Sequence, residues 1–452
     1  MKRSLYNVLL LLCFVSISAC APSEEPASSA PEEMASSANH NVDGKADWFF
    51  SDDVSYADML NVTSSTDKLP VRGRLVEEDE EDVGSLTVTP FSQLSQDEIK
   101  EEEVEVRLTL DRQSVVIATL ETTDEGWLDE VLDIGALELK PGRYEVEFWH
   151  DGEFAGVSQA LLLDSARTAP VVRSDVDKTY LVSEFETTSG KLELLTMDAF
   201  ERVALDGMEV VYQSLRGENI HPVTYLSGSP RPFKRTLENK VFLDGMEQDG
   251  LILKPAKDII ATNIENLSVD QIIPELTEQV GYKLYWLMKL RNEIPASAPE
   301  VLLGDDSEAD FVVYAMYWNY LSKTWSLSEL ERQLMQLDVA DTWRDGIVEE
   351  AKRLSAADVA APVAIYINQT NHSSESFDIA DWKLPSLTRH HNGSWPLMLD
   401  LFEEGLVTAE QVSDLKARML ELDYTEQSLR DMTQDADFLD AETIERFGGS
   451  AR

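Results

Sequence analysis

Cysteine is nearly absent from this sequence. Its 452 residues include two cysteines, Cys13 and Cys20, and both lie close to the N-terminus. If Cys13 leaves with a leader peptide and Cys20 is modified, the folded part of the chain contains no thiol. Disulfide bonds, thiolate catalysis and cysteine-ligated zinc are then excluded together. Stability outside the cell would have to come from packing and from a bound metal.

Basic residues are also scarce. The chain has 38 lysines and arginines against 85 aspartates and glutamates, which gives a formal net charge of −47. Such a chain is poorly suited to neutralise phosphates along a duplex, and an anionic bilayer would repel it. The acidic excess is typical of a solvated surface that keeps a protein soluble through self-repulsion. We therefore expect no nucleic-acid partner.

The apolar run nearest the N-terminus is too short to span a membrane. Residues 5–15 follow the basic Lys2 and Arg3, a pattern typical of a leader peptide. Residues 17–20 (ISAC) resemble the lipobox of bacterial lipoproteins, in which the cysteine becomes the lipidated N-terminus after cleavage. The resemblance predicts a signal peptide over residues 1–20 and a lipid anchor at Cys20. The protein would then lie in the cell envelope, on the periplasmic or surface side of the outer membrane; an ordinary signal peptide is the alternative.

Composition next predicts a linker and a small β domain. Residues 21–65 are interpreted as a disordered linker, since residues 21–47 are rich in Ala, Pro, Ser, Glu and Asn. Residues 66–167 show short alternating segments separated by turn signals, most clearly in residues 103–110 (EVEVRLTL). These short alternating segments predict a small antiparallel β-sandwich. The other predicted strands are residues 85–89, 114–120, 144–149 and 160–163.

The pattern of apolar and polar residues changes after Pro170. Apolar segments typical of strands that are buried on both faces alternate with helical segments, one of them over residues 280–291. This alternation predicts an α/β domain with a doubly wound parallel sheet over residues 168–375. Residues 376–452 are predicted to form a helical C-terminal extension, with a capping box that begins at Thr408.

Polar residues follow three of the predicted parallel strands, and the first group is residues 175–179 (DVDKT) after Val171 and Val172. Two carboxylates at positions i and i+2 can divide the work of phosphoryl transfer. Asp175 would attack phosphorus to form an aspartyl-phosphate. Asp177 would protonate the leaving alkoxide and later deprotonate water. By itself the pattern is weak, because it also occurs in ordinary turns.

The second group is residues 227–230 (SGSP), which follow the apolar residues 223–226. The Ser227 hydroxyl, followed by Gly228, can hold a phosphoryl oxygen together with backbone N–H groups. A tight turn without a ligand is the alternative.

The third group is residues 304–310 (GDDSEAD), which follow the apolar residues 301–303. Mg²⁺ prefers hard oxygen ligands and usually takes one or two carboxylates from the protein. Asp305 and Asp310 offer such ligands beside Asp175, because ligands bind at the carboxyl ends of parallel strands. An acidic, solvated loop is the alternative.

Taken together, these three groups and Lys283 resemble the four motifs of the haloacid dehalogenase superfamily. Lys283 lies on the predicted helix before Asp305, where that superfamily keeps its lysine. Residues 174–179, 225–230, 303–314 and 365–367 further resemble the catalytic domain of the actin-patch phosphatidate phosphatases and their bacterial homologues. Those proteins also carry a small β domain ahead of the catalytic domain. The resemblance implies Mg²⁺-dependent hydrolysis of a phosphomonoester, with phosphatidate or a related lipid phosphate as a candidate substrate.

The resemblance also implies a role for each matching residue. Asp175 would be the nucleophile and a Mg²⁺ ligand, and Asp177 the general acid/base and a Mg²⁺ ligand through its backbone carbonyl. Thr179 would support the loop and contact the substrate, while Ser227 and Gly228 would bind the phosphate. Lys283 would balance the negative charge of the site. Asp305 and Asp310 would complete the metal site.

Several positions depart from the family pattern where a substrate headgroup would be selected. Lys178 replaces an aspartate, Arg231 a tryptophan and Asn368 an arginine, and residues 306–309 lack the usual glycine and histidine. Arg231 is predicted to contact an anionic substrate, with a solvated turn residue as the alternative.

One alternative to this interpretation stays open. The same domain could serve a non-enzymatic surface lipoprotein that binds a ligand or partner. His390 and His391 suggest a metal site, but they lack a third ligand at suitable spacing, so we expect a loop pair. The aromatic residues Tyr314, Tyr317, Trp318 and Tyr320 are expected to form the core face of a helix, with binding of acyl chains as the alternative.

Overall fold

The computed structural model describes residues 53–448 except 80–81, 95, 111, 184–187, 218–220, 255–275, 308, 371–381, 383–384 and 435. The predicted signal peptide, Cys20 and most of the predicted linker lie outside these residues. Among the helices of the described ranges, none combines the length and the apolar character that a membrane span requires.

Residues 53–163 form two β-sheets around a shared core. The first sheet has the order β1-β3-β4, with β7 also paired to β3, and the second has the order β2-β9-β8-β5-β6. Val71 and Leu75 from the first sheet and Val106 and Phe148 from the second are all buried in this core. The strands are β1 (Asp53–Met59), β2 (Val62–Ser65), β3 (Lys68–Asp79), β4 (Asp97–Glu98), β5 (Glu103–Leu110), β6 (Gln113–Glu121), β7 (Trp127–Asp133), β8 (Gly142–His150) and β9 (Glu153–Leu163).

Three predictions for this region were wrong. The linker was extended to residue 65, but β1 and β2 occupy residues 53–59 and 62–65. β1 pairs with β3 over its whole length, and this long-range pairing holds a rather polar segment in a strand. The strand expected at residues 85–89 is irregular and leads into a short helix, α1 (Pro90–Gln93), because Thr89 caps a helix start with proline in its first turn. The sheet is also not wholly antiparallel, since β2 pairs with β9 in parallel.

The second half of the chain is built on a six-stranded parallel sheet, which confirms the predicted α/β class. Its order is β12-β11-β10-β13-β14-β15, and every pairing in it is parallel. These strands are β10 (Val171–Ser174), β11 (Val223–Pro230), β12 (Leu251–Lys254), β13 (Glu300–Asp305), β14 (Ala364–Asn368) and β15 (Thr388–His391).

Helices cover both faces of this sheet. Successive strand residues enter opposite cores, so Tyr225 and Leu303 face one cluster while Leu226 and Leu302 face the other. The helices in the described residues of this half are α2 (Thr188–Thr196), α3 (Met208–Arg216), α4 (Lys234–Leu243), α5 (Leu276–Arg291), α6 (Asp310–Leu321), α7 (Leu327–Gln336), α8 (Asp341–Ser355), α9 (Ser394–Glu403), α10 (Ala409–Glu421), α11 (Glu426–Met432) and α12 (Ala441–Gly448).

The strand order places a switch point between β10 and β13. From β10 the chain adds β11 and β12 on one side, and then crosses to add β13, β14 and β15 on the other. At such a point the loops that leave the two central strands separate, and a crevice forms beyond their carboxyl ends. The predicted acidic motifs follow these two strands.

The predicted C-terminal boundary was wrong. The segment 376–452 was expected to be a helical extension, but β15 at Thr388–His391 pairs with β14 and continues the sheet. The four residues of β15 (TRHH) form an edge strand with no apolar run, so the sequence gives no strand signal there. Trp395, Leu397 and Leu415 of the following helices are fully buried against the sheet, so this region is part of the main core.

Buried ion pairs join the β-sheets to the α/β part. Asp58 on β1 accepts a hydrogen bond from Lys234 Nζ at 2.7 Å, and its backbone carbonyl accepts one from Arg231 Nη2 at 3.1 Å. Arg72 on β3 pairs with Glu293, directly after α5. Burial raises the pKa of Asp58, but the nearby positive charges of Lys234 and Arg231 outweigh it and lower that pKa to about 2.

The Asp58 contact should contribute strongly to stability. We expect Asp58→Asn to lower the free energy of unfolding by about 3 kcal/mol at pH 7, because Lys234 and Arg231 would stay buried with less compensation. Since the pKa of Asp58 is lower in the folded state, this contribution is present above pH ~4 and is lost as pH falls toward 2. Urea unfolding of the wild type, Asp58→Asn and the exposed-turn control Asp151→Asn measures the effect. Equal midpoints for all three proteins would contradict it.

Candidate active site

Three buried carboxylates meet at the switch point. Asp175 follows β10, Asp305 ends β13 and Asp310 begins α6, and one oxygen of each lies within 4.8 Å of the others. The ends of β10 and β13 are tied together, since the Asp175 N–H donates to Leu303 O at 2.9 Å. The Asp305 N–H donates to Asp310 Oδ2 at 3.3 Å. The structure therefore brings together three acids from two separate sequence motifs.

Lys283 on α5 supplies positive charge to this cluster. Its Nζ donates to Asp175 Oδ1 at 2.8 Å and to Asp310 Oδ1 at 2.6 Å, and its side chain is 1% exposed. Burial raises the pKa of Asp310, and the Lys283 ammonium opposes that rise. Lys283 therefore contacts two of the three carboxylates of the cluster.

Gly304 is required by the close packing around Asp310. A Cβ atom at position 304 would lie 2.6 Å from Asp310 Oδ2 and 2.8 Å from Tyr314 Cε2. Tyr314 itself donates a hydrogen bond to Leu303 O at 2.8 Å. A side chain at position 304 would therefore displace Asp310 from the cluster.

Asp177 lies beside the acid cluster in a shell of hydroxyl groups. Ser183 Oγ donates to its Oδ1 at 2.5 Å, while Ser229 Oγ and Ser227 Oγ donate to its Oδ2 at 2.8 Å and 3.2 Å. Burial lowers the pKa of Arg202 to about 10, and the negative charge of Asp177 opposes that decrease. The sequence motifs include Ser227 and Ser229 but assign no role to Ser229, and they do not include Ser183 or Arg202.

The loop from Asp175 to Thr179 is held in one conformation. Lys178 has a left-handed φ of 58°, and its N–H donates to Leu181 O at 2.7 Å. Asn368, at the end of β14, donates to Lys178 O at 2.7 Å. Thr179 is buried, and its hydroxyl has no hydrogen-bond partner among the described residues. Asn368 was noted in the sequence only as a departure, and here it supports the loop.

Gly228 lies where little space is available. A Cβ atom at this position would be 3.1 Å from the Gln279 side chain on α5. The neighbouring Ser229 N–H donates to Ser227 Oγ at 2.9 Å, which fixes the backbone at the end of β11. The backbone at Ser227 and Gly228 is thus shaped by α5, the helix that also carries Lys283.

Arg231 packs against the β-sheets, and its contact with a substrate stays a prediction. Its side chain is 5% exposed, so it is not a solvated turn residue. Its guanidinium stacks on Trp127 of β7, with 3.9 Å between the Cζ atom and the ring centroid, and contacts Asp58 of β1. Burial lowers the pKa of Arg231 to about 9, against the effect of Asp58. The contacts that the structure shows for Arg231 lead to the β-sheets and not to the acid cluster.

The remaining sequence predictions concern the two histidines, His390 and His391, and the aromatic residues between Tyr314 and Tyr320. His391 is buried with its Nδ1 2.9 Å from Gly393 O, and burial lowers its pKa to about 4. The His390 ring packs against Phe311. Among the described residues, the group that could hold a metal ion is the aspartate cluster, and neither histidine belongs to it. Tyr314, Tyr317 and Tyr320 are buried in the core, as expected.

A family comparison bears on this site directly. Residues 171–323 match the family model described as "Phosphatidate phosphatase APP1, catalytic domain". The match covers about a third of the chain and includes every predicted site residue of the α/β part. It confirms the resemblance to this catalytic-domain family and supports a phosphatase.

The other comparisons add little. No curated protein matches this sequence. Solved structures with partial similarity include one described as "Structure of PhoD", at 9% identity over 70% of this chain and 72% of that chain, with a TM-score of 0.27. A cycloisomaltooligosaccharide glucanotransferase from Paenibacillus shows 11% identity over 80% and 51%, with a TM-score of 0.18. A polysaccharide deacetylase from Bacillus cereus shows 11% identity over 75% and 94%, with a TM-score of 0.14. At these scores the similarities carry no argument about fold or function.

Proposed function

We propose that this protein is a divalent-metal-dependent phosphatase of the haloacid dehalogenase type that hydrolyses phosphomonoesters through Asp175. The observation that supports this most strongly is the meeting of Asp175, Asp305 and Asp310 in one buried cluster. The cluster lies within the segment that matches a phosphatidate phosphatase catalytic domain.

In the first step, a carboxylate oxygen of Asp175 attacks phosphorus while the bond from phosphorus to the ester oxygen breaks. The leaving alkoxide takes a proton from Asp177 and departs as an alcohol. The product on the protein is an aspartyl-phosphate. Lys283 orients the attacking group, because its Nζ lies 2.8 Å from Asp175 Oδ1.

In the second step, water attacks phosphorus of the aspartyl-phosphate and gives one proton to Asp177. The bond from phosphorus to the Asp175 oxygen breaks, which releases inorganic phosphate and restores both carboxyl groups. Asp177 therefore acts first as an acid and then as a base. Ser227 and the backbone around Gly228 hold the phosphoryl oxygens in both steps.

The residues present fit a divalent cation such as Mg²⁺. Carboxylates of Asp175, Asp305 and Asp310 and the backbone carbonyl of Asp177 would hold it, since hard cations prefer oxygen ligands. When bound, the ion supplies positive charge that stabilises the negative charge of the transferring phosphoryl group. The observation that supports its binding is the convergence of three buried carboxylates, with one oxygen of each within 4.8 Å of the others.

A lipid phosphate is the proposed substrate, because the matching family is described as a phosphatidate phosphatase. We further propose that the protein is anchored in the cell envelope by a lipid on Cys20, based on residues 17–20. Mass spectrometry of the mature N-terminal peptide would test the anchor, and an unmodified Cys20 in the mature protein would exclude it.

Phosphate release from a panel of phosphomonoesters tests the proposal. The panel should contain p-nitrophenyl phosphate, glycerol 3-phosphate and phosphatidate in mixed micelles. We expect release with Mg²⁺, loss of release with excess EDTA, and recovery when Mg²⁺ is returned. Turnover that is indifferent to EDTA would contradict the metal requirement. No turnover of any phosphomonoester would favour a non-enzymatic binding protein instead.

A further inference from the structure

The Asp177 carboxylate is held on both of its oxygens. Ser183 Oγ donates to Oδ1 at 2.5 Å, and Ser229 Oγ donates to Oδ2 at 2.8 Å. All three residues are nearly inaccessible to solvent. Hydrogen bonds from two separate hydroxyl groups restrict both the rotation and the position of the carboxyl group.

The two serines reach Asp177 from different parts of the fold. Ser183 follows Asp177 by six residues in the same loop, and the β-bridges from Leu181 to Asp177 and to Ala204 fix that part of the chain. Ser229 belongs to the end of β11, in the neighbouring strand of the sheet. A carboxylate held from two independent elements keeps its place even if one of the loops adjusts to a substrate.

Ser227 differs from these two serines. Its Oγ accepts the N–H of Ser229 at 2.9 Å and donates to Asp177 Oδ2 at 3.2 Å, which is the longest of the three hydroxyl contacts. A hydroxyl has one proton to donate. If Ser227 turns that proton to a phosphoryl oxygen, its contact to Asp177 is lost while those of Ser183 and Ser229 remain.

We propose that Ser183 and Ser229 are positioning residues that hold Asp177 for proton transfer to the leaving group while Ser227 serves the substrate. This inference rests on the proposed phosphatase function and assigns roles to two residues that the sequence motifs left unassigned. A general acid must lie within hydrogen-bond reach of the oxygen that it protonates, so a displaced Asp177 loses efficiency. Substrates with a poor leaving group depend most on that proton.

Leaving-group dependence tests the proposal. The variants Ser183→Ala and Ser229→Ala are compared with the wild type on glycerol 3-phosphate, which has an alkoxide leaving group, and on p-nitrophenyl phosphate, which has a stabilised phenolate leaving group. For each variant we expect kcat to fall about tenfold on the alkyl ester and about twofold or less on the aryl ester, since full loss of a general acid costs ~10²–10⁴. The KM values should change little, because neither serine is assigned to the phosphate.

Controls separate positioning from a folding defect. Ser183→Thr and Ser229→Thr keep the hydroxyl and should restore most of the alkyl-ester activity. Ser214→Ala removes a buried serine hydroxyl from α3, away from Asp177, and should match the wild type on both esters. Equal losses on the two esters, or no loss on either, would overturn the positioning role while leaving the phosphatase proposal intact. A wild type that turns over neither of these esters nor phosphatidate would refute the phosphatase proposal itself.

Discussion

Asp175→Asn is expected to abolish phosphomonoester hydrolysis, with a fall in kcat on the order of 10⁴-fold or more, as found when an enzyme loses its nucleophile. The amide is nearly the same size as the carboxylate, but it is a far weaker nucleophile and a poor ligand for a hard cation. The loss should therefore appear for every substrate of the wild type. Initial rates with Mg²⁺ on alkyl and aryl phosphates measure it.

The same substitution should not unfold the protein. Asp175→Asn removes one of three buried carboxylates, and Lys283 Nζ keeps its contact of 2.6 Å with Asp310. Repulsion between like charges in the cluster is reduced, so we expect a melting temperature equal to or above that of the wild type. Asp338→Asn, in an exposed turn, is the matched control and should retain full activity. A folded Asp175→Asn protein with wild-type rates would contradict the proposed nucleophile.

The acid cluster could be predicted from the sequence because each part of it carries a local signal. Asp175, Asp305 and Asp310 follow short apolar segments, and parallel strands bring their carboxyl ends to one edge of the sheet. Lys283 could be placed only through the family resemblance, since a lysine on a helix usually faces solvent. Its full burial follows from tertiary packing of α5 against the sheet.

The surroundings of Arg231 could not be predicted, because they come from a distant part of the chain. Asp58 and Trp127 belong to the β-sheets, and only the folded arrangement brings them to the turn after β11. The same holds for Ser183 and Ser229, whose contacts with Asp177 depend on the paths of two loops. The edge strand β15 was missed for a different reason, because its four residues show neither an apolar run nor an alternation.

Asp305→Asn should remove the divalent cation from the site without disturbing the loop around it. Asp305 Oδ1 accepts hydrogen bonds from Ser307 N at 2.6 Å and from Ser307 Oγ at 2.5 Å. The amide oxygen of asparagine can accept both, so the turn after β13 should persist. What is lost is a negative charge and a hard ligand, and we expect the affinity for Mg²⁺ to fall at least tenfold.

Asp306→Asn is the matched control for this substitution. Asp306 is the next residue in the chain, and its Oδ1 accepts hydrogen bonds from Thr370 N and Thr370 Oγ1, both at 2.8 Å. It undergoes the same chemical change but does not belong to the group of three carboxylates. The affinity of Asp306→Asn for Mg²⁺ should stay within about twofold of the wild type, because salt screens charges near the protein surface.

Isothermal titration of the wild type, Asp305→Asn and Asp306→Asn with Mg²⁺ therefore tests most directly whether the switch-point acids form one cation site. The account predicts binding of a single Mg²⁺ per chain to the wild type and to Asp306→Asn, and strongly weakened binding to Asp305→Asn. Failure of the wild type to bind Mg²⁺, or equal affinity in all three proteins, would contradict it.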